Sequence, residues 1–346
     1  MNSSQSTKAI MFFKPLIAAL LVSLTSIPAQ ADEAGSGASR AKLAGKALVG
    51  QPGPAAVLQT IDGQRIDLAS YYGKKPVYLK FWATWCVPCR EQMPAFEKSF
   101  QQYGDKLAVV AVNAGYSDTE TEVKSYRAQH GLHMPIVIDD GSLAASLNLR
   151  VTPQHIVIGR DGRIQHIGHL HDKELEKALA NAVNERAAAS PVALAPQLAA
   201  AAPARTALKV GDLAQGLPLP AAQGKPRALM FFSPWCESYL RESRPATAQA
   251  CQRVREEAEA LAATQGVEWT AVASPVWSSE KEVAEFARSK KSRMAMRLDK
   301  DGTLFNAFGV RQIPSIVLLD RQGRVARVMG PEERGLAQAV QALQVQ

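Results

Sequence analysis

The sequence predicts an α/β protein built from two similar units, each a mixed β-sheet flanked by helices. Apolar, β-branched runs of strand length, such as "PVYLKFW" and "KLAVVAVN", alternate with segments of helical spacing. The second half of the chain repeats the first, for example in "GKPRALMFFSPWC" after "GKKPVYLKFWATWC". Strands that alternate with helices imply a partly parallel sheet covered on both faces.

Each unit is predicted to run strand, helix, strand, helix, strand, strand, helix. The segment 88–103 has helical spacing and should kink at Pro94. "IVIGRDGRIQHI" predicts a hairpin that turns at Asp161-Gly162, and "DKELEKALANAVNE" predicts an amphipathic closing helix. In the second copy an insertion follows Cys236, which we expect to lengthen one helix.

The chain divides into four predicted segments. Residues 1–31 resemble an export signal, with Lys8 and Lys14, a short apolar core and "AQA" before the cut. The core is shorter than the roughly 20 residues of a spanning helix, so we expect cleavage and a periplasmic protein; an uncleaved anchor is the alternative. An Ala/Pro-rich linker, 187–206, separates a unit at 41–186 from one at 207–346.

The composition fits a folded protein and argues against one class of partner. Of the 346 residues, 47% are hydrophobic and 21% are charged, as in globular domains. The formal net charge is +8, but no basic block with interleaved aromatic residues is present. We therefore expect no nucleic-acid partner.

Cys86 and Cys89 form a C-x-x-C pair in "FWATWCVPCREQMP". Such a pair is either half of a zinc site or a redox pair at the start of a helix. The first half has no third cysteine, and the pair lies where a strand gives way to a helix. A helix N-terminus favours the Cys86 thiolate, which attacks a disulfide, and Cys89 can resolve the product.

The run "FWATWCVPC", followed later by "VTP", resembles the thioredoxin fold, and specifically the exported thiol–disulfide oxidoreductases of the TlpA/ResA/CcmG type. The resemblance implies that Pro153 is a cis-proline facing the cysteines and that Thr152 offers backbone groups to an extended substrate. It further implies protein dithiol or disulfide clients, a membrane electron donor and no organic cofactor. Reduction of exported proteins is the expected direction; a general oxidant or isomerase is the alternative.

Lys80 departs from the thioredoxin pattern, in which a buried Asp precedes the first cysteine by six residues. A lysine near the dithiol would favour the thiolate if it is charged, or act as a base if burial lowers its pKa. The alternative is that its side chain reaches solvent at the strand end.

The second copy keeps Cys236 but has Tyr239 in place of the second cysteine. Cys251 lies 15 residues after Cys236, about 22 Å along an unbroken helix. A disulfide needs Cα atoms within about 7 Å, so a Cys236–Cys251 bond requires the chain to reverse, for example at Pro245. We expect instead a redox-silent copy whose groove binds a partner or packs on the first unit, with the Cys236–Cys251 disulfide as the alternative. A peroxidase site is disfavoured, because Leu229 stands where peroxiredoxins carry a proline.

All six histidines lie in the first half, and three of them occur in "HIGHLH". If the hairpin runs as in thioredoxins, we expect His166, His169 and His171 at a solvated strand edge away from the cysteines. We therefore predict no metal site. A copper-carrying or assembly-scaffold protein remains the alternative from another functional class.

Overall fold

The computed structural model describes residues 1, 36–185, 207–220, 224–264 and 266–345. The predicted export signal, apart from Met1, and the predicted linker lie outside the described residues. We refer to residues 36–185 as the N-terminal unit and to the described residues of 207–345 as the C-terminal unit. No helix among the described residues has the length and apolar character needed to cross a bilayer.

The N-terminal unit has the predicted alternation of strands and helices. Its helices are α1 (Gly37–Gly45), α2 (Val87–Tyr103), α3 (Glu120–Gln129), α4 (Ser142–Ser146) and α5 (Lys173–Asn184). Its strands are β1 (Val57–Gln59), β2 (Arg65–Asp67), β3 (Val77–Trp82), β4 (Ala108–Asn113), β5 (Ile136–Ile138), β6 (Gln154–Ile158) and β7 (Ile164–Gly168).

From its first strand the described part of the C-terminal unit repeats the order that begins at β3, with two helices in place of α2. Its helices are α6 (Cys236–Ser243), α7 (Pro245–Ala262), α8 (Glu280–Ser289), α9 (Thr303–Ala307) and α10 (Leu336–Val345). Its strands are β8 (Arg227–Phe232), β9 (Glu268–Ala273), β10 (Ala295–Leu298), β11 (Ser315–Leu319) and β12 (Val325–Met329).

The two sheets have the same topology, which confirms the predicted fold class. The strand order is β5-β4-β3-β6-β7 in one and β10-β9-β8-β11-β12 in the other. In each order the first three strands run parallel to one another, and the fourth strand is antiparallel to both of its neighbours. Every residue of β3, β4, β6, β8 and β11 is buried, as expected of strands covered on both faces. The chain thus consists of two tandem thioredoxin-like folds.

Two predictions about element order were wrong. Within the predicted order each unit has an additional strand and short helix, β5 with α4 and β10 with α9, because edge strands of three or four residues carry little periodicity. The N-terminal unit also has α1, β1 and β2 before the predicted order begins. The insertion after Cys236 does not lengthen a single helix. α6 ends at Ser243, the backbone of Arg244 leaves the helical conformation, and Pro245 takes the first position of a second helix, α7, where proline is favoured.

The two units pack against each other through apolar side chains. One cluster of buried residues includes members of both units. The rings of Tyr116 and Phe305, one from each unit, meet edge to face with centroids 5.9 Å apart. The carboxyl ends of β3 and β8, where Cys86 and Cys236 follow, lie at this contact.

Candidate active site

Cys86 lies at the N-cap of α2, directly after β3, and is bonded to Cys89 with a Cα–Cα distance of 5.2 Å. The backbone N–H of Cys89 donates to the Cys86 Sγ at 3.3 Å. In the reduced protein, this donor and the positive end of the helix dipole favour a thiolate at Cys86. Cys86 is 1% exposed and Cys89 is fully buried.

Thr152 and Pro153 lie beside the cysteine pair, at the start of β6. The Thr152–Pro153 peptide bond is cis. The Thr152 carbonyl oxygen is 3.4 Å from the Cys86 Sγ. The β3–β6 register pairs Phe81 with Gln154, and this brings the residues before β6 to the end of β3 where the cysteines follow.

Lys80 is fully buried, so its side chain does not reach solvent as the alternative interpretation allowed. Its Nζ has no hydrogen-bond partner among the described residues and lies 5.3 Å from the centroid of the Phe96 ring. Phe96 is on α2, two turns after Cys89, so Lys80 points to the sheet face that α2 covers. Burial lowers the pKa of Lys80 to about 7.

A hydrogen-bonded chain beside Lys80 was not predicted from the sequence. His155 lies opposite Lys80 in the β3–β6 pairing. Its Nδ1 is 2.8 Å from the Tyr78 hydroxyl, and its Nε2 is 2.7 Å from the Gln92 Oε1. Burial, with Lys80 next in effect, holds the pKa of His155 well below its usual value. The spacing Tyr78–Lys80, two apart on a strand, was the available signal, because both side chains face α2.

His169 lies at the cysteine end of the sheet, so the expectation of a distant, solvated strand edge was wrong. Its Nδ1 is 2.7 Å from the Pro153 carbonyl oxygen. The Gln92 side-chain amide donates to the His169 carbonyl at 3.3 Å. The reason is topological: β7 runs antiparallel to β6, so the end of β7 returns to where β6 begins. Within the described residues, no group of three or more metal-ligating side chains is assembled.

The second copy contains a disulfide between Cys236 and Cys251, with a Cα–Cα distance of 6.3 Å. Cys236 begins α6, and the break at Arg244 turns α7 back so that Cys251 reaches it. Both cysteines are buried. The Ile313–Pro314 bond is cis, like its counterpart at Pro153.

The two units meet through equivalent residues, in a pseudo-twofold arrangement. The Ser117 N–H donates to the Arg311 carbonyl at 2.7 Å, and the Trp277 N–H donates to the Arg150 carbonyl at 2.9 Å. Ser117 and Trp277 occupy the same position in the two copies. Both have a left-handed backbone, with φ of 56° and 57°, which non-glycine residues keep only where their surroundings hold it.

Aromatic residues next to the cysteines also meet across this contact. Trp85, immediately before Cys86, stacks on Trp235, immediately before Cys236, with centroids 5.0 Å apart. Each indole is anchored in its own unit, because Trp85 Nε1 donates to the Tyr116 carbonyl at 2.8 Å and Trp235 Nε1 donates to the Val276 carbonyl at 3.0 Å.

Polar side chains of the C-terminal unit reach the N-terminal site. The Tyr239 hydroxyl accepts from the Val87 N–H at 3.0 Å, one residue after Cys86. Trp277 Nε1 donates to the Thr152 hydroxyl at 3.3 Å. A cleft of about 280 Å³ opens beside these contacts, and neither sulfur of the N-terminal pair lines it; its lining is Arg40, Trp85, Pro88, Trp235, Tyr239, Trp277 and Glu282.

Arg244 makes the central ion pairs of the contact. Its guanidinium donates to Asp118 at 2.9 Å and to the Thr84 hydroxyl at 2.5 Å, and it lies 3.2 Å from Glu122. It also donates to the Ser117 carbonyl at 2.6 Å. The Asp118 side chain is fully buried. A buried carboxylate depends on such donors, because leaving it unpaired is costly.

Comparison with known proteins agrees with this geometry. Residues 49–167 match the AhpC/TSA family. The thioredoxin-like protein YneN of Bacillus subtilis is 41% identical over 133 residues, covering 38% of this chain and 78% of YneN. The thiol-disulfide oxidoreductase ResA of Bacillus thuringiensis is 32% identical over 135 residues, covering 38% of this chain and 76% of ResA.

Among solved structures, this chain is similar to a thiol:disulfide interchange protein of the thioredoxin family from Chlorobium tepidum. The two are 23% identical, the match covers 38% of this chain and 97% of the other, and the TM-score is 0.33.

Proposed function

This chain belongs to the thioredoxin-like thiol–disulfide oxidoreductases that include ResA and YneN, and from that premise we propose that Cys86 and Cys89 exchange disulfides with exported client proteins. The observation that carries the proposal is the Cys86 sulfur at the start of α2, with Cys89 bonded to it and the Thr152 carbonyl beside it. We assign attack to Cys86 and resolution to Cys89.

The reaction balances without a cofactor. The Cys86 thiolate attacks one sulfur of a client disulfide, forming a mixed disulfide and releasing the other client sulfur as a thiolate that takes up a proton. Cys89 loses its proton, attacks Cys86, and releases the second client thiol. The client gains two electrons and two protons, and the protein is left with the Cys86–Cys89 disulfide.

Thr152 and Pro153 are proposed to hold the client strand. Thr152 presents its carbonyl within 3.4 Å of the Cys86 sulfur. A client segment that pairs with the backbone here would bring its disulfide to that sulfur. The family resemblance suggests the same assignment.

Lys80 is proposed to accept the proton of Cys89. Its buried Nζ lacks a partner among the described residues, and its pKa of about 7 leaves a neutral fraction at physiological pH. Because Lys80 faces α2 below the cysteines, a neutral amine could take the proton that must leave Cys89 before it attacks. His155 and Gln92 would keep this region ordered through their hydrogen bond.

The direction of electron flow and the compartment are further parts of the proposal. We infer export from the N-terminal segment 1–31, a periplasmic location, and reduction of clients with electrons from a membrane donor. The units 41–186 and 207–346, joined by 187–206, are proposed as separate domains. A reduction potential of the Cys86–Cys89 pair near about −120 mV, as in strong oxidants, would contradict the reductase direction.

Trapping tests the assignment of the two sulfurs. Reduced Cys89→Ser protein mixed with insulin, whose disulfides are intact, should accumulate a mixed disulfide at Cys86, since no second thiol resolves it. Cys86→Ser should neither form this product nor reduce insulin, and Cys236→Ser serves as the matched control with Cys86 and Cys89 intact. Insulin reduction by Cys86→Ser at the wild-type rate would refute the assignment.

A further inference from the structure

The reactive sulfurs are buried in the complete molecule, near the contact between the two units. Cys86 is 1% exposed and Cys89 is fully buried in the complete molecule. A protein disulfide must bring one of its sulfurs into line with the Cys86 Sγ to exchange with it. A client of protein size therefore has no path to Cys86 in this arrangement of the units.

The contacts of the C-terminal unit lie directly beside the backbone groups that a client strand is proposed to use. Trp277 donates its backbone N–H to the Arg150 carbonyl and its Nε1 to the Thr152 hydroxyl. Tyr239, which stands where a second cysteine would be, accepts from the Val87 N–H beside Cys86. The C-terminal unit thus pairs with backbone on both sides of the sulfur, as an extended substrate would.

The contact between the two units is non-covalent. Each disulfide lies within one unit, so no covalent bond among the described residues crosses the contact. The crossing interactions are hydrogen bonds, ion pairs, ring contacts and packed apolar side chains, all of them non-covalent. Arg244 is central among them, and in the described part of the chain its guanidinium contacts are all with the N-terminal unit.

We propose that the C-terminal unit is an intramolecular cap on the N-terminal site, and that protein clients reach Cys86 only when the two units separate. This rests on the proposed exchange function of Cys86 and Cys89. The cap occupies the client groove with Trp277 and Tyr239, and Arg244 holds it closed through Asp118.

A charge reversal in the full-length protein tests the cap. Arg244→Glu places a carboxylate against Asp118 and Glu122, and should open the contact without removing any group of the N-terminal site. Arg327→Glu is the matched control: Arg327 pairs with Glu333 inside the C-terminal unit, so this change also sets two carboxylates together, but away from the contact. The second-order rate of insulin reduction should rise at least tenfold for Arg244→Glu and stay within twofold for Arg327→Glu.

A second variant tests the cap independently, in case Arg244→Glu fails to fold. Trp277→Ala removes the indole that contacts Thr152 and should raise the insulin rate in the same direction. If Arg244→Glu, Trp277→Ala and the double variant all reduce insulin at the wild-type rate, the cap is refuted and the exchange function stands. If no protein, wild type included, reduces either insulin or a small aromatic disulfide with Cys86 and Cys89 reduced, the proposed exchange function itself fails.

Discussion

Replacing Lys80 with Met should stabilise the protein, and by more at neutral pH than at alkaline pH. Met matches the length and apolar stem of Lys but carries no amine to desolvate. In the folded state burial lowers the pKa of Lys80 from 10.5 to about 7. The unfolded chain therefore binds one more proton than the folded chain between these two values, so the free energy of unfolding rises with pH in that window.

Each pKa unit between the folded and unfolded values corresponds to about 1.36 kcal/mol of unfolding free energy. Below pH 7 the buried amine destabilises the folded state by about 5 kcal/mol, at pH 7 by about 4 kcal/mol, and at pH 9 by about 2 kcal/mol. Above pH 10.5 the effect vanishes. The gain in unfolding free energy from Lys80→Met should thus be about 2 kcal/mol larger at pH 7 than at pH 9.

Urea unfolding of the oxidised protein at pH 7 and pH 9 measures this difference. Lys74→Met is the matched control, because it makes the same substitution at an exposed position just before β3, where no buried amine is removed. A gain from Lys80→Met that is equal at both pH values would refute the reasoning, since it would mean that Lys80 does not titrate between them.

Two other predictions concern residues around the two cysteine pairs. Cys251→Ser should lower the unfolding free energy by about 3 kcal/mol, because it frees a 15-residue loop in the unfolded chain. The difference from wild type should vanish in excess reductant. A difference that persists there would contradict a disulfide. His155→Phe should lower the unfolding free energy by about 1–3 kcal/mol, because it leaves the buried Tyr78 hydroxyl unpaired. Adding Tyr78→Phe should restore part of this loss in urea unfolding. A double variant no more stable than His155→Phe would argue against the Tyr78–His155 hydrogen bond.

The sequence predicted where the reactive cysteines lie, but it did not predict which side chains surround them. The position of Cys86 at a strand–helix junction was readable because strand and helix periodicities meet there. The break at Pro245 was named only as the reversal that a Cys236–Cys251 bond would need, because a proline can also stand inside a helix, as Pro94 does in α2. The environment of Lys80 was not readable, because whether a strand-end side chain is buried depends on which helix covers that face.

Two features were missed because contacts between elements create them. His169 and Pro153 flank the predicted hairpin of β6 and β7, and the antiparallel return of β7 brings the His169 imidazole to the Pro153 carbonyl. The chain from Tyr78 through His155 to Gln92 joins two strands and a helix. Local periodicity describes one element at a time, so it cannot reveal a network that joins three.

The sequence by itself determined that this chain is a pair of α/β units and that one of them carries a dithiol, because alternating periodicities and the spacing of Cys86 and Cys89 are local properties. Only the tertiary structure decided that the two units face each other, with Trp85 against Trp235 and Arg244 on Asp118. Contacts between units depend on the shapes of two finished surfaces, and these exist only after each sheet has assembled.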